Sequence, residues 1–374
     1  MKSESLINIS DDKRKEIVDE VHNNFETKKE FCSRQNLSYP KFRLFINGAN
    51  ISIEDFTKIC DFLGIPVEKA EKCITLLKYR SAGFFIKNPK LPFVFKSMPG
   101  VRIIADILTD GCVCKHSVQY SNKKFSLIRM FVADLETVFG SFKYRIRRDK
   151  NQVYTAFAPV IIGYVLEALG MESGRKAITD PEVPKFIGSG ELAAEFLGYV
   201  IANDGCVDHV KHTGVRRIRI ATATLHDTPP KFLTNCKSLF ETLGIRCRLV
   251  FRRYKKQKNN EVSKIWEIEI SDKRNLEIAG KKIRIPLKYK QDRLQKIIKS
   301  YKQLGKGELY ELVKHTCMQF AENGHPINIS TLSKELERDR ETVREITVKL
   351  ENDDFLIRVS NLGSIPIHYG VKND

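Results

Sequence analysis

The chain has 374 residues, with 64 Lys and Arg against 46 Asp and Glu, for a formal net charge of +18. That length predicts about two to three domain-sized units, and a hydrophobic content of 42% excludes a disordered tail. The excess of cations points to a polyanionic partner, because neutralising phosphates releases their counterions. No apolar run is long enough to span a bilayer, and the polar opening Met1-Lys2-Ser3-Glu4-Ser5 does not read as a signal peptide.

Residues up to about Arg80 read as helices. Asp11 or Asp12 can cap a first helix through His22, and Thr27 a second over Lys28 to Gln35. After a polar turn at Asn36-Leu37-Ser38, a third helix runs from Tyr39 to Asn47 and ends at Gly48. Ser52 with Asp55 opens a fourth, closed by Leu63-Gly64-Ile65-Pro66. Short helices with tight polar turns have the order of a helix-turn-helix module, with Lys41 and Arg43 on its recognition helix. Pro89, Pro92 and Pro99 then mark a connector.

Next comes an apolar helical stretch, Arg102-Ile103-Ile104-Ala105-Asp106-Ile107-Leu108-Thr109, ending in Asp110-Gly111. A second such stretch, Phe196-Leu197-Gly198-Tyr199-Val200-Ile201-Ala202-Asn203, ends in Asp204-Gly205. The segments downstream of the two stretches are alike. After the first, Val113 to Tyr120 and Phe125 to Phe131 read as a hairpin around Ser121-Asn122-Lys123-Lys124, and Asp134 to Phe139 as a helix. Phe142 to Arg148 and Gln152 to Phe157 form a second hairpin turning at Asp149-Lys150-Asn151, and Pro159 opens a helix to Gly170. After the second, the hairpin is Val207 to His212 with Val215 to Thr224, and Pro229-Pro230 lead a helix to Leu243-Gly244. Arg246 to Tyr254 pairs with Ile265 to Ile270, and Leu276 to Ala279 is a short helix. The pattern α-β-β-α-β-β-α therefore occurs twice, which indicates an internal duplication. From about Gly305, three helices (Leu309 to Phe320, Ile329 to Leu336, Arg340 to Asn352) and a hairpin turning at Ser360-Asn361-Leu362-Gly363 have the winged-helix order, with Arg340, Arg344 and Lys349 on the third helix. The domains expected are 1–80, 81–185, 186–300 and 305–374.

Two equivalent acids at the ends of apolar helices suit metal-dependent phosphodiester hydrolysis, which needs carboxylates to hold Mg²⁺ and position water. Small residues such as Ala105 and Thr109, one turn apart, let two such helices pack closely. Gly111 and Gly205 turn the chain sharply and aim the neighbouring acid and backbone carbonyl at the metal. Arg217 and Arg219, and Arg246 and Arg248, each share one face of a strand, and with Arg252 and Arg253 they mark a DNA surface. The run Tyr254 to Asn260, with Lys255 and Lys256, reads as a basic loop on phosphates. Arg145, Arg147, Lys123 and Lys124 are the cations of the first repeat placed on the same partner. Nine cysteines, with no C-x-x-C pair and one C-x-C at Cys112 and Cys114, read as reduced core thiols of a cytosolic protein.

The paired Asp-Gly helices with matching downstream order resemble the LAGLIDADG homing endonucleases in their single-chain, two-repeat form. Ser173-Gly174-Arg175-Lys176 and the stretch Pro181 to Ile187 resemble linkers of archaeal members. The resemblance covers about Arg102 to Leu294. It implies an α+β fold in which tandem αββαββα repeats form a pseudo-twofold saddle, flanked by the N-terminal helical module and the C-terminal winged helix. It also implies Mg²⁺-dependent cleavage of double-stranded DNA by a monomer, with Asp110 and Asp204 in the metal-binding positions. Lys150 and Lys264, near the last strand of each repeat, are the basic residues that would order water or stabilise the transition state.

The chain departs from that pattern at Asp106, where the family has an apolar residue, and at the second helix, which has two registers. Anchoring on Asp204-Gly205 puts Tyr199 at a small-residue position, whereas anchoring on Gly198 puts Asn203 in the acid's place. The Asp204 register satisfies the stricter requirement, the glycine turn. The Met1 start and the ending Asn373-Asp374 do not have the junctions of an intein, so a free-standing endonuclease is expected. The alternative is a non-catalytic transcription regulator on a degenerate LAGLIDADG domain, an arrangement that some bacterial developmental regulators resemble. An RNA-directed role, such as intron splicing, is a third reading.

Overall fold

The computed structural model describes residues 5–79, 83–210, 215–256, 260–301, 306–336, 338, 340–359 and 367–372. The chain divides into two compact units: residues 1–204 with 221–243 and 251–266, and residues 205–220 with 244–250 and 267–374.

The first unit begins with β1 (Ser5–Ile9), α1 (Asp11–Asn24), α2 (Lys28–Arg34), α3 (Tyr39–Ile46), β2 (Ile51–Ser52), α4 (Ile53–Phe62), α5 (Val67–Lys72), β3 (Ile74–Tyr79) and β4 (Phe85–Lys87). Two predicted caps form: Thr27 Oγ1 accepts from the Glu30 N–H at 3.1 Å, and Ser52 Oγ from the Asp55 N–H at 3.0 Å. The all-helical expectation is corrected by three strands. In β1, Ser5, Ile7 and Ile9 face inward in alternation, and the strand exists because it pairs with the distant β3, Ser5 opposite Tyr79. Five residues of alternation carry little local signal, so pairing decides the conformation. The five-stranded sheet runs β2-β1-β3-β4-β7, with β7 (Ser141–Phe142) supplied from beyond residue 80. Phe31 packs against Phe25 and Phe42, each at 5.3 Å between ring centres, and turns inward the face of α3 opposite Lys41 and Arg43, which are exposed.

Further along come α6 (Met98–Leu108), β5 (Gly111–Cys114), β6 (Ser117–Asn122), α7 (Phe125–Phe139), β8 (Arg145–Arg148), β9 (Tyr154–Pro159) and α8 (Val160–Ala168). The first hairpin differs from expectation: it turns at Lys115-His116, and Phe125 to Phe131 is helix. Leu127, Ile128, Phe131, Val132, Leu135, Val138 and Phe139 are all buried on one helical face, a 3.6-residue period that the short window at Phe125 to Phe131 hides. The linker carries α9 (Lys176–Thr179) and a 3₁₀ turn at Lys185–Ile187, and leads into α10 (Gly190–Asn203).

The second repeat contains β10 (Gly205–Val210), β11 (Val215–Thr224), α11 (Lys231–Thr242), β12 (Arg248–Lys256), β13 (Val262–Ile270) and α12 (Lys273–Lys282). The predicted end of the first strand at His212 lies outside the described residues. The basic loop expected from Tyr254 is instead the end of β12 through Lys256, and residues 257–259 lie outside the described residues. The two four-stranded sheets have orders β5-β6-β9-β8 and β10-β11-β13-β12. Counted along the chain within each sheet, both run first, second, fourth, third strand. The fold is α+β.

In the second unit, β10 pairs antiparallel with β11 from Gly205 opposite Ile220 to Val210 opposite Val215. Helix α13 (Lys288–Lys299), absent from the elements expected of the sequence, packs on α12 and β10. The C-terminal part holds α14 (Lys306–Glu322), α15 (Ile329–Glu335), α16 (Arg340–Asn352), β14 (Leu356–Arg358) and β15 (Tyr369–Val371). Val313, Cys317, Leu332, Val343, Leu350 and Leu356 form its own core. Three helices and a hairpin is the predicted order, while the turn at residues 360–363 lies outside the described residues.

Candidate functional site

Helices α6 and α10 pack against each other, and their small residues Ala105, Ala193, Gly198 and Ala202 are buried. Small side chains let two helix backbones approach, which brings the C-terminal ends of both helices into one neighbourhood. Helix α6 stops at Leu108, and Thr109 breaks it with φ −101° and ψ −98°. Asp110 therefore stands off the helix, half-buried, with Oδ2 accepting from Asn122 Nδ2 at 2.8 Å. Asp204 caps α10 and is exposed.

Gly111 is fixed by space. A Cβ there would lie 2.8 Å from the Asp106 carbonyl oxygen and 3.0 Å from Ile107 Cα, both backbone atoms that cannot yield cheaply. Gly111→Ala is expected to destabilise the fold by about 1–3 kcal/mol, read as a lower midpoint in urea unfolding. An unchanged midpoint would show that the turn has slack.

A polar cluster lies in the seam between the helices. Asn203 Nδ2 donates to Asp106 Oδ1 and to Thr109 Oγ1, each at 2.8 Å, and its Oδ1 accepts from Tyr120 Oη at 2.8 Å. Asn203 is thus spent on holding α10 to α6 and β6. Asp106 is buried, and its Oδ2 has no hydrogen-bond partner among the described residues. Burial pushes its carboxyl well above the usual range, with Asp134 and Asp110 adding to the rise. Asp134 is raised to about 6 by burial, although Arg102 pulls it down. Arg102 also donates to Glu195 Oε1 at 2.5 Å and lies 5.6 Å from the centre of the Tyr199 ring. Tyr199 thereby gains a cation over its face.

Lys176 on α9 reaches the C-terminal end of α6. Its ammonium donates to the Thr109 carbonyl. Burial lowers it to about 8, while the negative charges of Asp204 and Asp110 pull it upward. Three hydrogen bonds pin its helix: the Leu225 N–H donates to the Ala177 carbonyl at 3.0 Å, the His226 ring nitrogen meets the Ile178 carbonyl at 2.9 Å, and the Lys231 N–H donates to Asp180 Oδ1 at 2.9 Å. The sequence places Lys176 in a linker and assigns it no role. The signal available was a lone lysine at the start of a short helical stretch, which by itself marks nothing.

The other expected site residues fall in different places. Lys150 is exposed in the β8–β9 turn, and Lys264 on β13 is paired with Asp227. The Gly205 carbonyl accepts from Lys290 Nζ at 2.7 Å, and Gly111 opens β5 opposite Tyr120. The carbonyl beside Lys176 therefore belongs to Thr109 and not to either glycine.

The arginine face of the second repeat is largely neutralised from within. Arg217 pairs with Asp208 at 3.2 Å and Glu269 at 3.1 Å, Arg219 with Asp208 at 2.5 Å and Glu267 at 3.1 Å, and Arg248 with Glu269 at 3.3 Å. Arg246 is exposed just before β12, and its backbone N–H donates to Asn275. Exposed cations lie further along β12, where the pairs Arg252-Arg253 and Lys255-Lys256 follow exposed Phe251 and Tyr254. In the first repeat Lys123, Lys124, Arg145 and Arg147 are exposed, and Arg145 lies 5.0 Å from the centre of the Phe157 ring.

Among the described residues no group of three or more His, Cys, Asp or Glu side chains is placed to hold a metal ion. The Thr109 carbonyl accepts from Lys176, and the carboxylates of Asp110 and Asp204 stand at the ends of α6 and α10; carboxylate and carbonyl oxygens are hard donors of the kind Mg²⁺ takes when waters complete its shell. No helix is long and apolar enough to cross a membrane.

No family model matches the chain, and no curated protein matches it. Solved structures do match at a distance. Mesophilic variants of the homing endonuclease I-DmoI align at 12% identity over 56% of this chain and 99% of that chain, with a TM-score of 0.31. I-DmoI in complex with DNA and Ca aligns at 11% identity over 52% and 96% of the two chains, with a TM-score of 0.34. I-DmoI in complex with DNA and Mn aligns at 12% identity over 56% and 100%, with a TM-score of 0.31.

Proposed function

We propose that this protein binds a specific site in double-stranded DNA and cleaves it as a LAGLIDADG-type endonuclease. The observation that carries the reading is the pair Asp110 and Asp204, one at the C-terminal end of each of two helices packed on each other. The same strand order in both repeats supports it. The pseudo-twofold saddle and the monomeric state belong to the same proposal.

In this reading Asp110 and Asp204, with the Thr109 carbonyl, would hold Mg²⁺. Bound there, the ion would supply an activated water and stabilise charge on the leaving oxygen. Asn122 fixes the Asp110 carboxylate by donating to Oδ2. Asn203 and Thr109 lock the ends of the two helices so that the acids keep their spacing. Arg252, Arg253, Lys255 and Lys256 on β12, with Lys123, Lys124, Arg145 and Arg147, would contact phosphates, and Phe251 and Tyr254 present flat apolar surface beside them. Arg217, Arg219 and Arg248 hold the sheet through their acids and would reach DNA only by exchanging partners.

A second reading, binding without cleavage, is favoured by one observation: the Lys176 ammonium already sits on the carbonyl beside the acids. Selection from a random duplex library in Mg²⁺ and in Ca²⁺ separates the two. The first reading expects a recovered site that is cut in Mg²⁺, with cleavage falling at least about 100-fold in Asp110→Asn and Asp204→Asn while binding persists. A site that is bound and never cut in Mg²⁺ or Mn²⁺ supports the second, and no selected site would remove both.

A further inference from the structure

We propose that Cys112 and Cys114 are an oxidisable dithiol, a modification site that a low-molecular-weight disulfide such as oxidised glutathione closes into a reversible Cys112–Cys114 bond. The proposal is independent of whether the chain cuts DNA. In β5, Gly111 and Val113 are buried, and the two cysteines share the other, half-buried face. Their sulfurs lie 3.2 Å apart. Opposite them on β6 stand Gln119 and Ser117, whose side chains bond each other at 3.0 Å. Cys32, Cys60, Cys236 and Cys317 are buried, whereas both thiols of this pair are partly open to a small oxidant. Two thiols do not make a structural zinc site, which takes four ligands. Among the described residues no group of three or more His, Cys, Asp or Glu is placed to hold a metal. The second repeat supplies a contrast. There Gly205-Cys206-Val207-Asp208 has the order of Gly111-Cys112-Val113-Cys114, and the Cys206 thiol donates to Asp208 Oδ1 at 2.8 Å. The same two strand positions meet in both repeats, and in the first both carry sulfur.

The step balances with one disulfide oxidant. A cysteine thiolate attacks one sulfur of the oxidant, forms a mixed disulfide and expels one thiolate. The second cysteine sulfur attacks the mixed disulfide at the first, closes the Cys112–Cys114 bond and expels the other. Two electrons pass to the oxidant, and the two cysteine protons end on the two released thiols. Burial and the neighbouring Cys114 push the Cys112 thiol up, which slows attack by that sulfur. The bond holds its sulfurs at about 2.05 Å. Residues two apart on a strand have Cα atoms about 6.4–6.8 Å apart, the long end of the range that a disulfide spans. Closing the pair therefore draws β5 in and bends it at Val113. That side chain is buried against α8, where a Cβ on Gly163 would lie 3.0 Å from Val113 Cγ1. A bond formed against such packing is open to reduction, as sensing disulfides are and structural ones are not. Because β5 begins one residue after Asp110, the closure also alters the strand that the Asp110 turn feeds.

The test holds the folded full chain in glutathione buffers of increasing disulfide-to-thiol ratio. Samples are quenched in acid, unfolded, labelled with N-ethylmaleimide and digested with trypsin for mass spectrometry. Cleavage after Arg102 and Lys115 gives one peptide, Ile103 to Lys115, that holds both cysteines and no other. This peptide is expected to lose both labels together with two hydrogens as the ratio rises. It should regain both labels when the oxidised chain is returned to reduced glutathione. In Cys112→Ser and Cys114→Ser the remaining thiol is expected to stop at a single glutathione adduct, as is Cys206 in the wild type. Both labels kept at every ratio overturns the proposal. So does a wild-type peptide that stops at a glutathione adduct without closing, or a closed pair that reduced glutathione does not reopen. The decisive readings come from the wild-type chain, so they stand even where a serine variant does not fold.

Discussion

Asn203→Asp is expected to lower stability by about 2–4 kcal/mol at neutral pH. The amide nitrogen of Asn203 supplies the donor for Asp106 Oδ1 and for Thr109 Oγ1 across the α6–α10 seam. A carboxyl at position 203 removes that donor and sets a second acid against Asp106, which is already buried with one oxygen unpartnered among the described residues. Combining it with Asp106→Asn reverses the pair, because an amide at 106 can donate to a carboxylate at 203 that still accepts from Tyr120 Oη. The double variant should recover at least about 1 kcal/mol of the loss, a coupling typical of residues in direct contact. Urea unfolding of the four proteins measures the cycle. Additive effects would mean that the two side chains do not share the seam. The experiment also bears on the register of the second motif, since a residue that grips Asp106, Thr109 and Tyr120 is engaged in packing and is poorly placed to serve as the second acid.

Asp106→Asn alone is expected to stabilise the protein at neutral pH and to flatten its pH dependence. The Asp106 carboxyl is raised by burial in the fold. A raised carboxyl keeps its proton in the native state at pH values where the unfolded chain has lost it. Stability is then greatest below the unfolded value near 3.8 and falls as pH rises towards the native one, by about 1.4 kcal/mol per pH unit. Asp134, raised to about 6, adds a loss of the same sign between its unfolded value and 6. In Asp106→Asn the loss from Asp106 disappears, while the amide oxygen still accepts from Asn203. Unfolding midpoints at pH 4.5 and pH 7 are the measurement, with the gain over wild type expected to be larger at the higher pH. A variant destabilised equally at both values would show that the carboxylate is ionised and paired in the fold.

Much of the seam was legible in the residues, and the reason is local. A glycine after an acid at the end of an apolar helix is a short-range signal, and it marked Asp110-Gly111 and Asp204-Gly205 as helix exits. Caps such as Thr27 and Ser52 were equally readable, because a side chain and an N–H three residues on are enough to form them. Errors fell where distant pairing or long helical period decided the outcome, as at Ser5–Ile9 and Phe125–Phe131. The arginine stripe shows a different limit. Alternation correctly put Arg217 and Arg219 on one face of β11, but it could not show that Asp208, Glu267 and Glu269 meet them there. Ion pairing across strands depends on register, which sequence alone leaves open.

By itself, the sequence determined a basic chain, a duplicated α-β-β-α-β-β-α order and two Asp-Gly helix ends, because composition, period and turn chemistry act within a few residues. Only the tertiary structure decided what meets those ends. It drew Lys176 out of a linker onto the Thr109 carbonyl, gave Asn203 to the seam, and shut Asp106 away from water. Each of those outcomes depends on residues far apart in the chain becoming neighbours, and the energy of a buried charge is set by those neighbours.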